Sequence, residues 1–194
     1  MSKRGGEANE TFSACMKNQI NNAIVFGKNL LSGKKSNVRE LWDNITKDMS
    51  LYGGPIRDCK GIIETLDSVK AQIASFKDSV SIYDPSELKD AYRLWDILIC
   101  QRVYLEAMAD YSAKGGKSRG SALYTDPDGS KPYDFLPDKF TFTLDEGSNA
   151  DIVQQVVYSE GICKLSHRKV RKIPNDDSFF ENVWRGFRKN QNID

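Results

Sequence analysis

Apolar residues recur at helical spacing through the first two-thirds of the chain and at alternate positions through much of the last third, so the pattern predicts helices followed by strands. A first helix is expected from Phe12, with Met16, Ile20, Ala23, Ile24, Gly27, Leu30 and Leu31 on one side and a stop at Ser32-Gly33. Met1 to Thr11 are polar and read as a loose arm. Asn37 with Glu40 predicts a capping box for a second helix, whose apolar positions Val38, Trp42, Ile45, Met49 and Tyr52 step by four, three, four and three to the breakers Gly53-Gly54-Pro55. Ile62, Leu66, Val69, Ile73, Phe76 and Val80 continue that rhythm in a third.

A fourth helix has the strongest start signal, with Asp84 as N-cap, Pro85 at the first helical position and Glu87 reaching back. Its predicted apolar line is Leu88, Tyr92, Trp95, Ile99, Val103, Leu105 and Met108, and Gly115-Gly116 closes it. After Ser121 the texture changes. Tyr124 to Gly129 reads as a turn, and Phe140–Leu144, Ile152–Tyr158 and Ile162–Val170 read as three strands. Phe179, Phe180, Val183, Trp184 and Phe187 form one side of a terminal helix, with Asp176 and Asp177 at its start and Arg188 and Lys189 at its end.

The expected architecture is mainly α: an antiparallel three-helix bundle preceded by an N-terminal helix, then a small antiparallel β meander and a terminal amphipathic helix. The expected division is 1–35 for the arm and first helix, 36–121 for the bundle, and 122–194 for the meander and anchoring helix.

Three short motifs stand in a familiar order: Ile56-Arg57-Asp58, then Glu87-Leu88-Lys89 opening the long helix to Met108, then Ser118-Arg119-Gly120. This order resembles the C-terminal helical domain of flavoprotein subunits of the succinate dehydrogenase and fumarate reductase superfamily. It is also similar to the matching region of L-aspartate oxidase and adenylylsulfate reductase alpha subunits. Asn18-Gln19-Ile20-Asn21 to Val25-Phe26-Gly27-Lys28 is similar to a segment whose helix, in that superfamily, points its N-terminus at the flavin.

The resemblance therefore implies cofactor proximity for Asn18 and Gln19. Ala14 stands where the superfamily carries a substrate-binding arginine, which leaves open either the register or the way a dicarboxylate is held. The Gly-rich fingerprint of the FAD-binding unit is missing from the sequence. FAD would accordingly belong to a parent enzyme and not to this chain alone. The expected partner is the FAD-binding domain or subunit of that enzyme.

Composition narrows the function classes. The chain has 194 residues, 28 basic and 27 acidic, for a net charge of +1, so no global field draws it to nucleic acid or to anionic membrane. No apolar run approaches the roughly 18 residues of a membrane span, and the chain reads as cytoplasmic. Cys15, Cys59, Cys100 and Cys163 are far apart and are expected as free thiols. Cys163 with His167 is a lone metal-type pair, short of the four ligands of a structural zinc site, so no metal is expected.

Arg102, beside the fourth helix's apolar line, is expected in a rim salt bridge with Asp96, Glu106 or Asp110. Arg119, with Ser118 and Lys117, is expected to clamp the bundle to the following segment or to contact an anion. No catalytic residue is assigned. The basic run His167 to Lys172 reads first as an edge-strand device and only second as a nucleic-acid patch. The rival to the flavoenzyme reading is a stand-alone helical interaction module docking through Phe180, Trp184 and Phe187.

Overall fold

The computed structural model describes residues 3–31, 33–120, 122–170 and 179–190. Helices α2 (Val38–Tyr52), α3 (Cys59–Ser79) and α4 (Leu88–Ala113) form the antiparallel bundle. Helix α1 (Lys3–Leu30) precedes it and α5 (Phe179–Asn190) ends the described chain. The core is built from Val38 and Ile45 of α2, Ile62, Leu66, Val69 and Phe76 of α3, and Leu94, Leu98, Leu105 and Met108 of α4. Leu30, Val80, Ile82 and Tyr124 close it. Each such burial contributes roughly 1.5–3 kcal/mol before chain entropy is counted.

The apolar line of α4 differs from the predicted one. Its buried residues are Ala91, Leu94, Leu98, Gln101, Leu105 and Met108, a strict alternation of three and four that lies beside the predicted line and shares only Leu105 and Met108 with it. The reason is that α4 packs on a further helix besides its bundle partners α2 and α3. Leu88, Tyr92 and Trp95 receive the end of α1: the Phe26 ring lies 5.5 Å from Tyr92 and 6.0 Å from Trp95, and Trp95 meets Phe76 edge-on at 5.0 Å. Gly27 permits this approach, since a Cβ there would stand 2.9 Å from the Tyr92 hydroxyl.

Helix α1 begins at Lys3, well before the expected Phe12, so the segment read as an arm is helical from Lys3 onward. Only its last turns dock, through Phe26, Gly27, Leu30 and Leu31, while residues 12–25 are exposed. The α2 start also departs from expectation. Asn37 caps nothing; its side-chain amide donates to the Ser79 carbonyl at 2.7 Å and its oxygen accepts the Ser81 N–H at 2.9 Å, tying α2 to the α3–α4 connection. Asp84 does cap, accepting from the Ser86 N–H at 2.8 Å, but Pro85–Glu87 form a 3-10 turn and α4 proper starts at Leu88. Glu87 accepts from the Ser36 hydroxyl instead of reaching back.

Past the bundle, the predicted turn at Tyr124–Gly129 is extended: β2 (Leu123–Ser130) pairs in parallel with β1 (Ile56–Arg57). The predicted meander is a two-stranded hairpin, β3 (Ile152–Ser159) with β4 (Ile162–Lys169), in continuous antiparallel register from Ile152↔Lys169 to Ser159↔Ile162. The segment expected as its third strand lies elsewhere. Phe140 ends a 3-10 turn, Phe142 bridges to Thr125 and Ser130, and Leu144 bridges to Ser118. The hairpin turn has positive φ at Glu160 (51°) and Gly161 (81°), the primed geometry that matches strand twist.

Among the described residues no helix is long and apolar enough to cross a membrane. All four cysteines are free thiols. Asp176 and Asp177, the expected start of the terminal helix, lie outside the described residues, as do Arg171 and Lys172.

Candidate functional site

Where the hairpin lies on α4, a cleft of about 240 Å³ opens between Asp110, Lys114 and Arg119 on one side and Ile152, Gln154 and His167 on the other. Strand alternation puts Gln154 and His167 on the hairpin face toward α4, directly opposite each other in the register. Asp110 binds both. Its carboxylate accepts from Gln154 Nε2 at 2.6 Å and lies 2.7 Å from His167 Nε2, with Lys114 Nζ at 3.4 Å. The same Gln154 amide donates to the Ala107 carbonyl at 3.0 Å.

Burial works against the charged form of Asp110. The hydrogen bonds from Gln154 and His167, the His167 charge and Lys114 outweigh it and hold the carboxyl below its ordinary value. Asp110 is thus the polar anchor of the hairpin.

The Ser118–Arg119 turn adjoins the cleft, with Arg119 in its wall. Ser118 is buried; its hydroxyl donates to the Tyr124 carbonyl at 3.1 Å and accepts the Tyr124 N–H at 2.8 Å. Its backbone joins the next segment, Ser118 N–H to Thr143 at 3.1 Å and Asp145 N–H to the Ser118 carbonyl at 2.8 Å. Arg119 Nη1 stands 3.8 Å from Asp145 Oδ2. Asp145 is held below the usual carboxylate value, first by the Ser148 hydroxyl and also by the Gly147 and Ser148 N–H groups and the Arg119 charge. Tyr111 donates to the Lys117 carbonyl at 2.7 Å, and burial together with the nearby Asp145 charge raises its phenol. Ser118 and Arg119 therefore meet the segment the sequence leads one to expect, while Lys117 takes part through its carbonyl and is otherwise exposed.

Arg57 adds a second cation nearby. Its guanidinium donates to the Tyr124 hydroxyl at 2.9 Å and to the Gly54 carbonyl at 3.0 Å, and it lines a neighbouring cleft of about 320 Å³ that shares Tyr111, Arg119 and Gln154 with the first. Arg102 lies under the hairpin. It donates to the Gly161 carbonyl at 3.0 Å, faces the Tyr158 ring at 5.8 Å and stands 3.8 Å from Glu106, an ion-pair distance too long for a hydrogen bond. Glu106 is the closer partner of Lys70, at 3.0 Å.

The remaining predicted site residues lie apart from this cleft. Asn18 and Gln19 sit in the middle of α1, exposed and fifteen or more residues past its first residue, so the helix-dipole effect expected at a flavin-facing N-terminus does not reach them. Phe180 and Trp184 are 73% and 62% exposed on α5, while Phe187 is half-buried and meets Trp184 edge-on at 6.0 Å. Cys163 and His167 share a strand face but are four residues apart, about 13 Å at an extended rise, too far to ligate one ion.

Sequence reasoning weighed Asp110 only as a partner for Arg102 and missed its bond to His167. The usable signal was the alternation that placed His167 on the same face as Val156's partner Leu165. Compared with known proteins, the chain matches no family model, no curated protein and no solved structure.

Proposed function

We propose that the chain is a noncatalytic helical module that packs onto another polypeptide. One observation carries this reading. Phe12, Met16, Ile20 and Ile24, spaced by four along α1, are 67%, 42%, 53% and 48% exposed, forming an apolar ridge beyond the point where α1 leaves the bundle. A ridge of i±4 residues is the surface that interdigitates with another helix, and a continuous apolar patch of this kind marks an interaction surface. The exposed aromatics of α5 supply a second, smaller surface of the same type. The polar groups of the α4 cleft are occupied in holding the hairpin and the segment at Thr143–Asp145, which supports a structural role for them. The four free thiols fit a reducing, cytosolic setting.

The test is amide exchange over residues 12–24. In the isolated monomer these amides should exchange rapidly, and in the complex isolated from its native source they should be protected. Equal exchange in both states removes the proposal.

A second reading identifies the partner as the FAD-binding domain or subunit of a fumarate reductase-type oxidoreductase. What favours it is that two of the three motifs carrying the sequence resemblance meet, while Glu87-Leu88-Lys89 lies at the other end of α4: β1 holds Ile56 and Arg57 against Leu123 and Tyr124, and Tyr124 is in turn held by Ser118. Under this reading the purified chain is colourless, while the complex it forms carries a bound-flavin absorption spectrum. A colourless complex rules the flavin partner out and leaves the α1 proposal standing.

A further inference from the structure

The two strands of the hairpin present unequal edges. The tight turn at Glu160-Gly161 makes Ser159↔Ile162 a hydrogen-bonded pair, and alternation then directs the N–H and C=O of Lys164, Ser166 and Arg168 toward β3. Those of Cys163, Leu165, His167 and Lys169 point to the opposite edge, and among the described residues no other element hydrogen-bonds to them. The register runs through eight pairs without a bulge, so this edge is a regular template for one more strand.

Charge decides what can use it. β4 carries Lys164, Arg168 and Lys169, with His167 already engaged by Asp110, and neither β3 nor β4 contains a carboxylate. In a protein of net charge +1 this is a local concentration of positive charge. A second copy of β4 would set these cations against themselves, and like charges on adjacent strands are destabilising. The same lysines that discourage self-pairing favour a strand of opposite sign.

We propose that the outer edge of β4 binds an acidic extended segment of another protein by strand addition. The partner's backbone pairs with Cys163, Leu165, His167 and Lys169, and a carboxylate of it lies beside Lys164. Main-chain hydrogen bonds supply the affinity and the charges the selectivity. This surface uses a different part of the chain from the α1 ridge and stands without it.

The experiment is fluorescence anisotropy of the full chain with a fluorescein-labelled, end-blocked peptide of alternating Glu and Val, against its Lys and Val counterpart. Saturable binding of the acidic peptide alone is expected, weakening by about tenfold with Lys164→Glu. Leu165→Pro should weaken it at least as much, because proline removes an outward N–H that the hairpin does not use. As a control independent of any variant, the acidic peptide N-methylated at alternate residues should bind the unaltered chain about tenfold more weakly in at least one of its two registers. Equal binding of both peptides, or indifference to N-methylation in both registers, overturns the proposal. So does a single-stranded RNA that binds more tightly than the acidic peptide and is not displaced by it, which would assign the basic strand to nucleic acid.

Discussion

Gln101 shows how one residue can contradict the surface it lies on. It occupies an apolar position in the three-and-four rhythm of α4 and is 7% exposed, yet only half of its amide is used. Its nitrogen donates to the Ile45 carbonyl at 3.2 Å, and its oxygen has no partner among the described residues. Leaving such a group unpaired costs about 1–3 kcal/mol, whereas the Ile45 carbonyl already belongs to the α2 ladder. Gln101→Leu should therefore stabilise the chain by about 1 kcal/mol. In urea unfolding the midpoint should rise at constant m-value, and a lower midpoint would show that the amide fixes the register of the bundle instead.

Among the elements, the hairpin is held to α4 largely by polar contacts, and these depend on the ionisation of Asp110. Because its folded-state pKa is depressed, the stabilisation it supplies is complete above the unfolded carboxylate value of 3.8 and is lost as pH falls through the lower folded value. Acid titration in that window should release β3 and β4, seen as loss of amide-exchange protection in the hairpin while the α3–α4 core stays protected. Asp110→Asn should lower hairpin protection at neutral pH and abolish its acid dependence. A hairpin that releases with the same pH profile in the variant would place the titrating group elsewhere.

The hairpin itself was legible from alternation in Ile152–Tyr158 and Ile162–Val170. Its anchor was not, because Asp110 and His167 are 57 residues apart and nothing local distinguishes Asp110 from the other carboxylates of α4. The false third strand has a comparable cause. Phe140–Leu144 alternates like a strand, but its partners are single residues of other segments, with the Phe142 backbone so close to Gly129 that a Cβ there would collide at 2.4 Å.

For the whole molecule, the division that matters falls inside α1. The apolar spacing of that helix is uniform from Phe12 to Leu31, so the sequence carries no mark of where docking stops. Tertiary contact sets the limit, since Tyr92, Trp95 and Phe76 gather only around Phe26. The two halves should thus respond oppositely to substitution. Leu30 is fully buried, and Leu30→Ala should cost about 2–5 kcal/mol through lost burial and the cavity left behind. The combined change Phe12→Ser, Met16→Ser, Ile20→Ser and Ile24→Ser removes far more apolar surface, yet it should cost the isolated chain no more than about 2 kcal/mol in urea unfolding, because exposed sites of this kind usually stay within about 0.5 kcal/mol each. The same variant should lose the protected complex described above. A large fall in stability would mean that the ridge is already buried against the chain's own bundle in solution, and the case for an outside partner at α1 would fail with it.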